Sequence, residues 1–563
     1  MSSYHLSSRG LIAMAAVGLL AAGLGACSSS KAPGSSSSGA TTLIMESSPE
    51  SSITQNFNPF VATAAPQGMG ATGLIYEPLI QFNVAKPPQY YPWLATSFTW
   101  GDGGKSITFA IRQGVKFNDG SAMSVSDVVF SYQLVQKNSA INLGGIPITG
   151  VTSSGNNVTV SFSSPQYLNL QQIAGIPILP KKQWGSAGNP ATFTVSNPIG
   201  TGPYKLKSFT PQGFTLSKNT NYWQANLVKI PNVYFPVYTS NTGALAALYS
   251  GHIDWTGNFI PGLQKQFVNT SPKYHHFWEA AGSTNAFIPN LKKWPTNQLP
   301  VRQAISLAVN RNLLASEGEA GLENPVTNAS GITLPTFSAW SAPASAYSVS
   351  PTDNAAAAAQ VLTKAGYKKD SAGFFALNGK EVKIELISPA AYTDYAEVGS
   401  IAAQELKAAG INASFSGISV DAWSADMGNG NFQLAEHWSA GGLTPFNLYD
   451  NWLNSSLNNG KTSTGDYEGL KNPQIDGLLN KLAADSTVAA QTTDLAPIMS
   501  YVAKNLPVIP ITTASEWFEY NSQRFVGWPT QTNPYETGQP TGTNSGSGTG
   551  TDEVVILHLS PRT

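Results

Sequence analysis

The chain has 563 residues, enough for two or three lobes with substantial cores, and 11% of them are charged, against roughly 25% in typical soluble domains. Aromatics reach 10%, with 13 Trp, 21 Tyr and 24 Phe, so surface polarity must come mainly from Ser, Thr, Asn and Gln. A formal net charge of -1 excludes a basic field for nucleic acid, and a single cysteine excludes an intramolecular disulfide.

At the N-terminus, His5 and Arg9 precede the apolar run GLIAMAAVGLLAAGLGA, which is short for a membrane span and ends in small residues, the pattern of an export signal. Leu24-Gly25-Ala26-Cys27 resembles the bacterial lipobox, which implies cleavage of a signal peptide spanning 1–26 and diacylation of Cys27. Cys27 and the run SSSKAPGSSSSGA then make a lipidated Ser/Gly tether over 27–40, reaching on the order of 20 Å as a coil. The folded body is expected from about Thr41, and no later segment holds the ~20 apolar residues of a membrane helix.

The first half reads as strands. SFTW, GDGGK and SITFAIRQGVKF alternate apolar and polar residues about a Gly/Asp turn, which predicts a hairpin, and further hairpins are expected at GVTSSGNNVTVSFS and YKLKSFTPQGFTLSKN. The second half changes period: VRQAISLAVNRNLLAS, NAAAAAQVLTKAG and SIAAQELKAAG carry helical spacing, the last two ending at Gly366 and Gly410, and EVKIELISP between them reads as a strand. Near the end, ETGQPTGTNSGSGTG (Glu536 to Gly550) reads as an exposed loop before a strand-like EVVILHL. The order is strand-rich, then α/β, then a strand-bearing tail that is expected to return to the first domain.

Taken together and in this order, LIYEPLI, YPWLATSFTW, IRQGVKFNDGSAMSVSDVVFSY, NPIGTGPYKL, SGHIDW and VRQAISLAVNR resemble the extracytoplasmic solute-binding proteins, family 5, that serve peptide and nickel ABC importers. The resemblance covers the chain from about Thr41 onward. It implies an α/β, bilobal, three-domain fold like the type II periplasmic binding proteins, with a ligand cleft between lobes. Lobe 1 would take 41–75, 197–297 and 518–563, an inserted second domain 76–196, and lobe 2 298–517. On physical grounds the matched motifs are architectural: Gly200, Gly202 and Pro203 shape a turn, and Val301, Ala304, Ile305 and Ala308 make the buried face of a helix. The resemblance further implies a monomer that closes on a solute and delivers it to permease subunits with their ATPases. Such a protein would sit at the outer face of the cytoplasmic membrane through lipidated Cys27, or on the periplasmic side of a Gram-negative cell, with no cofactor and no other membrane contact.

The ligand is read from EHWSAGGLTPFNLYDNWL (436–453). In peptide-binding members the corresponding segment carries Asp three residues after the Trp, pairing with the ligand's α-amino group; here Gly441 and Gly442 follow Trp438. A buried ammonium without a partner costs several kcal/mol, so the loss argues against free peptides as preferred ligands. Trp438, Tyr449 and Trp452 are suited to stack on sugar rings, and the two glycines to let backbone approach them. VGWPTQTNPYETG resembles the tail of the cello-oligosaccharide-binding branch. A neutral, β-linked oligosaccharide is therefore expected, with an oligopeptide or dipeptide as the alternative. Trp255, Trp423 and Trp517 are further ligand candidates, and Asn285 is a candidate hydroxyl partner that is equally suited to cap a turn; each Trp is also suited to fill a core.

Enzyme readings are weaker. GDGGKS lacks the first glycine and following helix of a phosphate loop, His275-His276 lack a third ligand at metal spacing, and no G-x-S-x-G elbow occurs. Glu436 and Asp450 pair only on paper as glycosidase carboxylates, a reading that product formation from an oligosaccharide would separate from binding. A surface protein whose partner is another protein would reuse the same fold without any small-molecule response.

Overall fold

The computed structural model describes residues 41–47, 49, 52–61, 64–278, 281–540 and 550–562. The lipidation candidate Cys27, the signal segment and the tether lie outside the described residues. None of the described helices is long and apolar enough to cross a membrane.

The predicted hairpins form. In the strand Ser106–Ile111 alternation sends Ile107, Phe109 and Ile111 inward, and Ala95–Gly101 pairs with it across a turn at Asp102–Gly104. Gly103 and Gly104 take φ of 62° and 89° there, which explains why GDGGKS is a turn. Asn157–Phe162 and Ile148–Ser154 complete a four-stranded antiparallel sheet, and the helix Val125–Lys137, started by a capping box of Ser124 and Asp127, belongs to the same core. Close backbone approach fixes the NPIGTGPYKL turn: a Cβ at Gly202 would sit 2.5 Å from the Leu74 carbonyl oxygen.

Two larger sheets frame the molecule. The first has seven strands in the order 275–277, 519–521, 255–256, 42–46, 232–236, 213–218 and 204–210. The second has five, in the order 412–418, 383–389, 434–438, 281–289 and 509–515. As expected, Leu299–Ala308 is a helix whose Val301, Ala304, Ile305 and Ala308 are buried, and Ala355–Lys364 and Thr393–Ala408 are followed by Gly366 and Gly410 at φ of 88° and 89°.

Three expectations differ. The strand Ala281–Pro289, placed by sequence with the first lobe, pairs with Leu434–Trp438 and Ile509–Ser515 in the second sheet. EVVILHL is not a strand: Thr551–His558 is a helix, buried from Thr551 to Leu557, so its continuous apolar run carries no period to separate the two. The segment before it is not simply exposed either, since Glu536 and Thr537 are buried. The tail does return to the first core, through Glu519–Asn521 in the first sheet and Val554, Val555 and Ile556.

Candidate ligand-binding site

A cavity of about 310 Å³ opens where the chain passes between the two large sheets. The second sheet supplies strand ends. Asn285 is in register with Trp438 on one side and with Thr512 on the other, which brings Asn285, Trp438 and the 512–516 segment to one edge. The start of the helix Thr393–Ala408 adds Asp394 and Tyr395, preceded by Tyr392. From the first sheet come Asn258 and Phe259, just after the strand Trp255–Thr256, and Gln539 from the tail closes the ring.

Two aromatic faces look into this space. Trp438 is half-buried and is backed by Trp423, with ring centroids 5.7 Å apart, while the Trp423 ring in turn stacks on His437. Trp517, also half-buried, stands edge-on to Phe259 at 5.6 Å. The indoles therefore come from separate segments, one on the second sheet and one in the link from Ser515 to Glu519.

The rest of the wall is polar. Glu323 accepts from Asn285 Nδ2 at 2.9 Å, from Thr512 Oγ1 at 2.8 Å and from the Ser515 amide at 2.8 Å. Tyr395 donates its hydroxyl to Asn285 Oδ1 at 2.9 Å. Asn285 thus spends its amide on the protein, holding Glu323 and Tyr395 in place. Burial pushes Asp394 up to about 6 and Glu516 up to about 7, and the lining holds no Lys, Arg or His.

The residues named from sequence divide between cavity and core. Trp438, Gly441, Trp517 and Asn285 line the cavity. Tyr449 and Trp452 do not: the helix Pro445–Leu453 is buried along its whole length, Tyr449 donates to the Ser330 carbonyl at 3.1 Å, and Trp452 packs against Gly331. Gly442 is buried beside Asn447, whose Cγ would be 2.5 Å from a Cβ there. Trp255 is fully buried and donates from Nε1 to the Gly538 carbonyl at 2.6 Å; Trp423, 4% exposed, supports Trp438 from behind.

Sequence reasoning missed the acids and Tyr392, Tyr395 and Phe259. The one available signal was polar or aromatic residues just after apolar strand runs, as in ISPAAYTDY and ITTASEW. Glu436 and Asp450 are not among the lining residues, and among the described residues no His/Cys/Asp/Glu group is arranged to hold a metal.

Comparison with known proteins gives this cavity its context. The model of the "Bacterial extracellular solute-binding proteins, family 5 Middle" matches residues 89–460. The chain belongs to that family. Its members are transport binding proteins, not enzymes, and this family member has their mixed α/β, type II bilobal architecture. It is 29% identical over 281 residues to the nickel-binding periplasmic protein of Escherichia coli (strain K12), covering 47% of this chain and 52% of that protein. The family member thus spans about half the length of that relative. It is 22% identical over 479 residues to the probable peptide-binding protein YejA of Agrobacterium fabrum, covering 76% and 77%. Its fold matches a mannohexaose-bound periplasmic oligopeptide-binding protein from Thermotoga maritima with a TM-score of 0.84 at 23% identity, over 93% of this chain and 99% of that one. The oligopeptide-binding protein AppA of Bacillus subtilis, in complex with a nonapeptide, matches with a TM-score of 0.76 at 19% identity, over 93% and 99%.

Proposed function

We propose that this protein is the substrate-binding component of an ABC importer and that it captures an oligosaccharide, of the cello- or a related β-linked class, by closure of two lobes over the cavity. The observation that carries this reading is the pair of half-buried indoles, Trp438 and Trp517, across a polar wall without a cation. Indole faces suit the C–H faces of sugar rings, and carboxylates, Asn and Gln suit hydroxyls. A ligand with carboxylates or phosphates finds no basic side chain there, which disfavours the peptide C-terminus. The mannohexaose bound by the structural neighbour supports the same class.

The mechanism is a shift of an open/closed equilibrium by a ligand that contacts both sheets only when the cleft is shut. Diacylation of Cys27, the division into lobe 1 (41–75, 197–297, 518–563), inserted domain (76–196) and lobe 2 (298–517), a monomeric state, and delivery to permease and ATPase subunits outside the cytoplasmic membrane belong to the same proposal. Tryptophan fluorescence titrated with β-glucan, xylan and mannan oligosaccharides and with a mixed peptide pool tests it. A saturable change with one sugar class and none with peptides is expected. A response to peptides alone would overturn it in favour of the peptide alternative.

A further inference from the structure

The cavity wall is acidic with nothing basic to balance it. Glu323 is fully occupied by its three donors. Asp394 is different: it is 5% exposed, it lines the cavity, and its Oδ1 has no hydrogen-bond partner among the described residues. Glu516 is different again, because no described residue donates to its carboxylate although it also lines the cavity and is half-buried. Behind this wall lie Glu319 and Glu436, fully buried, with both oxygens of each lacking a partner. Their field raises Tyr395 and the acids around it further.

Glycines shape the space around Glu516. Its carboxylate lies across Gly282, where a Cβ would collide with it. A Cβ at Gly441 would lie 3.9 Å from Glu516 Oε1 and 3.0 Å from the Gly282 carbonyl oxygen, so the bare backbone at 441 keeps that edge of the cavity open. An ammonium carries three donors and no acceptor, and it is the group that unpaired carboxylate oxygens and a nearby carbonyl would hold best, through charge-assisted bonds. A hydroxyl offers one donor to the same acceptors.

We propose that Glu516, in the field of Asp394 and Glu323, forms a subsite for a protonated amino group on the ligand, so that the oligosaccharides captured include those built from amino sugars with free amines. The inference rests on the oligosaccharide reading and narrows it. N-acetylation removes both the charge and two of the donors, and it therefore separates the amine from the rest of the sugar.

Titration calorimetry on the full chain with β-linked glucosamine oligomers, the matching N-acetylated oligomers and cello-oligosaccharides of equal length tests it. The amine form is expected to bind at least roughly tenfold tighter than either neutral form. In Glu516→Gln that preference is expected to shrink to near parity. Equal or tighter binding of the neutral sugars would overturn the amine subsite while leaving the oligosaccharide reading in place. Binding of no sugar at all would remove the oligosaccharide reading and the subsite with it. A preference that survives Glu516→Gln would overturn the role of Glu516. The comparison of amine with N-acetylated ligand needs only the unaltered protein, so it decides the matter even if the variant fails to fold.

Discussion

Trp438 and Trp452 stand fourteen positions apart in a segment rich in aromatics, and the structure gives them opposite tasks. Trp438 keeps a face on the cavity, whereas Trp452 is 2% exposed and fills the space above Gly331. Trp438→Ala is expected to weaken ligand binding by about 2 kcal/mol, roughly thirtyfold, with a smaller effect on melting, as read by calorimetry and thermal denaturation. Trp452→Ala is expected to do the reverse, costing ~3–5 kcal/mol of stability through the cavity it leaves. Asn285 belongs to neither case. Its amide links Glu323, Thr512 and Tyr395, so Asn285→Ala would strand a buried carboxylate and a buried hydroxyl, at about 1–3 kcal/mol each before relaxation. Denaturant melts of the variant check this; an unchanged midpoint would mean that water replaces the amide.

At the scale of elements, the tail helix Thr551–His558 ties the end of the chain to its beginning through a pair of buried acids. Glu553 accepts from Gln81 Nε2 at 2.7 Å and from the Tyr222 hydroxyl at 3.2 Å, and Glu77 accepts from Trp223 Nε1 at 2.8 Å. Burial raises both carboxyls, Glu77 to about 7 from an ordinary 4.5. The folded form therefore holds protons that the unfolded chain releases, and stability falls as pH rises from about 4.5 through about 7. Glu553→Gln is expected to flatten part of that slope in melts taken across the window; an unaltered slope would mean the pair does not share its proton with the fold.

The same tail marks what sequence can and cannot convey. Hairpins and glycine-ended helices were legible because one face is wet and the period survives, as in Ser106–Ile111 and Thr393–Ala408. EVVILHL was not, because every side chain from Glu553 to Leu557 is buried and no period remains. Nor does any local signal say that Ala281–Pro289 joins the second sheet, since both sheets would bury it. The site was half legible: Trp438, Gly441, Trp517 and Asn285 line the cavity, but Tyr449 and Trp452 sit on a helix buried all round, and Glu323, Asp394 and Glu516 meet only through long-range strand pairing.

Across the whole molecule, buried acids set the response to pH. Glu46, Glu405, Asp450 and Asp466 are each raised to about 7 by burial, and Asp254 to about 6. Raised carboxyls favour the folded state most below their unfolded values, so the melting temperature is expected to rise as pH falls from about 8 to about 6. His437 opposes this at lower pH: burial holds it at about 4, so its contribution is lost as pH falls from 6.5 through about 4. Thermal melts over that range check the balance; a midpoint that rises with pH instead would mean that the carboxyls are ionised and paired in solution.

The decisive measurement for the central claim is a thermal-shift comparison of protein starting at Ser28 with soluble β-linked oligosaccharides and with a mixed peptide pool. Ligand at ~100 times its dissociation constant adds about 2.7 kcal/mol to a protein that binds it only when folded. The account predicts a clear rise with an oligosaccharide and none with the peptides. A rise with peptides alone would contradict it and hand the cavity between Trp438 and Trp517 to a different ligand.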